Sequence, residues 1–110
     1  MESATLAALA EPNRLKIVEF LLIGPASVGE IAEKLVLRQP QTSKHLKILR
    51  DYGWVEAQPR TLTRNYQLKA AAFKELGLWL DSFRKLWEAN YQRLDILLEE
   101  LKTNEKGEKL

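Results

Sequence analysis

Between Ser27 and Gly53 the sequence SVGEIAEKLVLRQPQTSKHLKILRDYG holds two amphipathic segments with almost nothing between them. The first opens on a capping box. Ser27 can accept from the backbone N–H three residues on, and Glu30 stands where its side chain can return the bond. Val28, Ile31, Ala32 and Leu35 then share one face, and the segment ends near Val36 or Leu37. The second runs from Gln39 to about Tyr52 and stops at Gly53, a residue suited to a left-handed helix end. Two short helices joined by so tight a turn must bury their apolar faces together, which is helix-turn-helix organisation.

The flanking segments complete a small domain. Before the pair, TLAALAEPNRLKIVEFLLIG is helical by spacing but is interrupted at Glu11-Pro12, because proline lacks the N–H and disfavours helix at the residue before it. The spacing predicts a short helix or turn over about 4–10 and a second helix from Pro12 to about Ile23, ended by Gly24-Pro25. After the pair, Trp54–Gln58 and Arg64–Leu68 alternate as strands joined by a basic, polar tip, a β-hairpin wing. From Ala71 to about Lys102 the period is helical again, with a break or bend expected near 76–78 around Gly77. The polar tail 103–110 is expected to fray. The expected fold is mainly α with a small β-hairpin: a winged helix-turn-helix of five or so helices and a two-stranded wing. Residues 1–102 form a single domain, and 103–110 a charged flexible tail.

The second helix of the pair carries the chemistry. From Arg38 to Arg64 there are six basic residues against two acids, Asp51 and Glu56, although the whole chain carries only +2. On a helical wheel Thr42, Leu46 and Leu49 cluster on the core side, with Gln41, Lys44, Lys47 and Ile48 roughly opposite. Gln39, Ser43 and Arg50 lie toward one flank and His45 on the other. Amides, hydroxyls and ammoniums can read base edges and clamp phosphates, where acids would repel them. The candidate DNA-binding set is therefore Arg38, Gln39, Gln41, Thr42, Ser43, Lys44, His45, Lys47 and Arg50, with Arg60, Thr61, Thr63 and Arg64 from the wing. His45 borders the core and equally fits a supporting hydrogen bond. Ile48 fits either a thymine methyl or a neighbouring element.

The last helix carries a seam. Leu80, Phe83, Trp87, Asn90, Leu94, Leu97 and Leu101 recur at alternating spacings of three and four, widened by Trp79, Leu86, Tyr91 and Leu98. So much apolar surface on a terminal helix points to a subunit interface.

Composition excludes several classes. The chain has no cysteine and one histidine, so disulfides, thiolate metal sites and thiol redox sensing have no donors. The histidine has no nucleophile constellation beside it, so no enzyme is indicated. The N-terminus is acidic before it is basic and has no long apolar stretch, which gives a cytoplasmic expectation. A winged-helix protein-assembly module without DNA binding is the alternative reading, and the basic wing and acid-poor helix argue against it.

The runs LAEPNRLKIVEFL, SVGEIAEKL, RQPQTSKHLKILRDYGWV and RNYQL together resemble the winged-helix repressors of the arsenic-repressor-like (ArsR-type) family, over roughly residues 5–101. The Trp-rich ending WLDSFRKLWEANYQRLDILLEEL is similar to a metal-independent branch. The resemblance implies a homodimer built from the first and last helices, with Leu6, Leu9, Leu80, Phe83, Trp87, Asn90, Tyr91, Leu94, Leu97, Leu98 and Leu101 at the interface. It also implies a repressor that binds double-stranded DNA at an inverted-repeat operator, with no metal and no cofactor. Three departures stand out. Arg38 replaces the family's common serine N-cap, and Asn13 a usual threonine. The metal-sensing cysteine pair and histidine–carboxylate set are missing.

Overall fold

The computed structural model describes residues 1–59 and 64–108. Eight elements follow one another: α1 (Ser3–Ala10), α2 (Pro12–Leu21), β1 (Ala26–Ser27), α3 (Val28–Leu35), α4 (Gln39–Asp51), β2 (Val55–Ala57), β3 (Asn65–Leu68) and α5 (Ala70–Glu108). Close contacts divide them into two compact units, Met1–Leu76 and Gly77–Leu110.

In the first unit each helix boundary has a local cause. Pro12 starts α2 at a position where its missing N–H is not needed, and the Glu11 carboxylate accepts from the Arg14 backbone N–H at 2.8 Å. Both bonds of the Ser27–Glu30 capping box are present at the head of α3. That helix ends on Val36 in the left-handed region, φ 55°. The Leu37 N–H then reaches back to the Ala32 carbonyl at 2.9 Å, as in a Schellman end. Gly53, with φ 81°, turns the chain out of α4. Here a residue without Cβ is the natural occupant.

The core of this unit gathers Ile17, Val18 and Leu21 from α2, Ile31 from α3, Leu46 and Leu49 from α4, and Trp54, Val55 and Tyr66 from the wing base. Trp54 is fully buried, stacks at a tilt on Phe73 with centroids 5.0 Å apart, and donates from Nε1 to the Thr5 carbonyl at 2.8 Å. One side chain thus ties α1, the wing base and the start of α5 together.

The wing is part of a three-stranded antiparallel sheet ordered β1-β3-β2, not a free hairpin. Val55 pairs with Leu68, and Ala57 with Tyr66, whose other neighbour is Ala26. Polar side chains run across the two long strands: Gln58 donates to Gln67 at 3.2 Å, and Gln67 to Glu56 at 3.0 Å. Two residues are too few to show a period of two, so β1 left no sequence signal.

The break or bend expected in α5 near 76–78 is corrected: the helix runs without interruption from Ala70 to Glu108, through Gly77. A single glycine costs a helix interior about 1 kcal/mol, which the surrounding hydrogen-bond ladder outweighs. A Cβ built on Gly77 would meet nothing within 4 Å, so close packing is not what selects glycine there. In the second unit the seam Leu80, Phe83, Trp87, Asn90, Leu94, Leu97 and Leu101 lies along solvent, with its apolar members 44–62% exposed. No helix among the described residues is long and apolar enough to cross a membrane.

Candidate nucleic-acid interface

Helix α4 presents two chemically distinct sides. Leu46 and Leu49 are fully buried and hold it against the core. Arg38, Gln39, Pro40, Gln41, Ser43, Lys44, Lys47 and Arg50 are exposed, and Asp51 at the last turn is the one acid among the helix residues. Arg38, Pro40, Gln41 and Lys44 line a shallow depression where the helix begins. Pro40 was not among the expected site residues. A proline in the first turn of a basic helix is its only sequence sign.

The start of α4 is open. Arg38 occupies the N-cap with extended backbone, and no side chain caps the helix. The Thr42 N–H bonds to the Arg38 carbonyl at 2.9 Å. The Gln39 and Gln41 N–H groups precede that first closed turn, and helices leave such groups without an internal partner. Free amides, the positive end of the helix dipole and the Arg38 guanidinium together favour a phosphate. A serine cap would occupy one of those amides itself.

Thr42 is a correction. Its side chain is fully buried and its hydroxyl donates to the Arg38 carbonyl at 3.0 Å, so it serves the core and not a ligand. For Ile48, of the two readings open in the sequence, the structure favours the neighbouring element. Ile48 is half-buried against the core, near Ala4, Ala7 and Ala8 of α1 and Tyr52, which answers the question its apolar side chain raised. His45 faces inward, with Nδ1 3.8 Å from the Glu11 carboxylate. In the wing Arg64 is exposed. Arg60, Thr61 and Thr63 lie outside the described residues. Of the residues expected at a dimer interface, Leu9 packs against the core and Leu6 is half-buried, while Asn90, Tyr91, Leu98 and the rest of the α5 set are exposed. Among the described residues no group of three His, Cys, Asp or Glu side chains is placed to hold a metal ion.

Residues 11–57, from the head of α2 to the end of β2, match the model of the bacterial regulatory protein, arsR family. A crystal structure of an ArsR family transcriptional regulator, RHA00566, superposes with a TM-score of 0.66 at 30% identity, covering 77% of this chain and 93% of that one. The chain belongs to the ArsR family. It is 41% identical over 76 residues to the HTH-type transcriptional regulator Rv2034 of Mycobacterium tuberculosis, covering 69% of this chain and 71% of that protein. It is also 43% identical over 51 residues to a probable mercury resistance operon repressor of Streptomyces lividans, covering 46% of this chain and 41% of that protein. ArsR proteins are transcriptional regulators and not enzymes. The resemblance read from QPQTSKHLKILRDYGWV and the wing strand is therefore correct at the level of family and fold.

Proposed function

We propose that this ArsR-family protein is a cytoplasmic homodimer that binds an inverted-repeat operator in double-stranded DNA and represses transcription. The exposed side of α4 carries this reading. Five of its residues within one major-groove width are amide, hydroxyl or ammonium groups: Gln39, Gln41, Ser43, Lys44 and Lys47. Gln41 can pair in a bidentate manner with adenine, Lys44 and Lys47 serve guanine edges or phosphates, and Arg38 and Arg50 take the backbone. Arg64, exposed in the wing, takes the adjacent backbone, and Arg60, Thr61 and Thr63 remain candidates from the sequence. Repression is favoured by the Streptomyces lividans relative, which is named a repressor.

The exposed seam of α5 supports dimerisation. One recognition helix reads only a few base pairs, whereas two related by a two-fold axis read a palindrome. Thiolate metals are not the signal in this reading, because soft metals select cysteine ligands and the chain has none.

The test is a titration of the protein onto labelled duplex carrying the DNA upstream of its own coding sequence, repeated across salt concentrations. Each phosphate neutralised adds about 0.9 to the slope of log affinity against log salt. A specific shift with a steep salt slope supports the reading. Affinity for every duplex that ignores salt would overturn it.

A further inference from the structure

His45 is the only histidine of the chain, and it sits on the candidate recognition helix without facing the candidate ligand. Its side chain is 13% exposed, and both ring nitrogens are buried with no hydrogen-bond partner. A buried polar atom left without a partner is costly, so such an atom needs a reason to be there. The nearest acid is Glu11, whose Oε2 lies 3.8 Å from Nδ1. The same Oε2 accepts from the Arg14 backbone N–H at 2.8 Å and so caps α2. Arg14 is itself turned away, its guanidinium donating to the Ala8 carbonyl.

We propose that His45 is a positioning residue for operator recognition: through Glu11 it sets how far α4 stands from the head of α2. The inference rests on the DNA-binding reading above. The separation is just beyond hydrogen-bond range, so a shift of under about 1 Å closes or opens the contact. Base-edge contacts demand similar accuracy, since recognition groups must be held to within about 0.5 Å. Gln41 stands one helical turn before His45 and Lys44 beside it, so a movement at the imidazole is carried to both. Glu11 is the N-cap of α2, which is anchored in the core by Ile17, Val18 and Leu21, and is thus a fixed reference for α4.

The experiment compares His45→Phe, which keeps bulk but no donor, His45→Gln, which keeps a donor, and Glu11→Ser, which keeps a helix cap but cannot reach the ring. A duplex is first selected by the wild-type protein from a randomised library. The readout is the ratio of affinity for that duplex to affinity for a scrambled one, at fixed salt and well below the melting temperature of every variant. His45→Phe is expected to lower the ratio about tenfold, the low end of a lost base contact, with scrambled-duplex affinity unchanged. Glu11→Ser should do the same, the double variant should be no worse than either, and His45→Gln should recover most of the ratio. Equal losses on both duplexes would make His45 a phosphate contact or a stability residue only, and overturn the proposal. So would an unchanged ratio in His45→Phe or Glu11→Ser, or losses that add in the double variant. A wild-type protein that selects no duplex fails at the first step and removes the DNA-binding reading itself.

Discussion

The Trp54 indole N–H donates to the carbonyl of Thr5, 49 positions earlier in the chain, at 2.8 Å. This bond fastens the first helix to the base of the wing. It also satisfies the one polar atom of a fully buried indole, which would otherwise be an uncompensated cost.

Trp54→Phe should therefore lower unfolding stability by about 1–3 kcal/mol, from the lost hydrogen bond and the space left by the smaller ring. Urea denaturation followed by far-UV circular dichroism measures it. The variant should also free α1, so limited proteolysis is expected to cut near residues 1–11 sooner than in the wild type. A variant as stable as the parent would mean that α1 is held by other contacts.

Val36 is the one non-glycine residue among those described with positive φ, at 55°. Its side chain is 89% exposed, so no burial compensates the left-handed conformation. That conformation costs an L-residue about 1–2 kcal/mol, more for a β-branched one, and glycine is spared it. Part of the gain is returned as extra freedom of glycine in the unfolded chain. Val36→Gly is expected to raise the urea midpoint by a net stabilisation of roughly 0.5–1 kcal/mol. A lower midpoint would show that the turn is held by the valine side chain.

Much of this architecture is legible in the sequence because its signals are local. Ser27 and Glu30 stand three apart ahead of an apolar period, and both capping bonds form. Gly53 follows the last periodic residue of α4 and takes the left-handed turn expected of it. What could not be read depends on distant partners. The inward-facing His45 lies 3.8 Å from Glu11, 34 positions away, and Ile48 lies near the alanines of α1. Gly77 was expected to break a helix because propensity acts locally, whereas continuation is a cooperative property of the whole 39-residue helix. The Thr42 hydroxyl looks like a ligand group until its bond to the Arg38 carbonyl is seen.

Arg38 separates stability from binding. As an N-cap it contributes no side-chain hydrogen bond to α4. Arg38→Ser should supply one and stabilise the domain by about 0.5–2 kcal/mol, while removing a cation from the phosphate side. The expected result is a higher melting temperature together with weaker binding to all duplexes, and a salt slope reduced by about 0.9 for the lost phosphate contact. A variant that gains stability and keeps its affinity would place Arg38 outside the interface.

The last prediction concerns the seam of α5. Trp87, Leu94, Leu97 and Leu101 are 51–62% exposed along one line of the helix. Burying a large apolar side chain contributes about 1.5–3 kcal/mol, so several such pairs across a two-fold axis outweigh the entropy of association. Leu94→Glu puts a charge where a partner's apolar surface is expected. Sedimentation should then report a monomer for the variant and a dimer for the wild type. Helix content should change little, because glutamate is as good a helix former as leucine. Operator affinity should fall far more than affinity for scrambled DNA, since two recognition helices about 34 Å apart are needed to read both half-sites. Leu94 is part of neither α4 nor the wing, so a loss that accompanies the monomer in sedimentation is assigned to assembly. A charged variant that stays dimeric, or that binds its operator as a monomer with full affinity, removes α5 from the dimer interface and leaves its exposed seam to another partner.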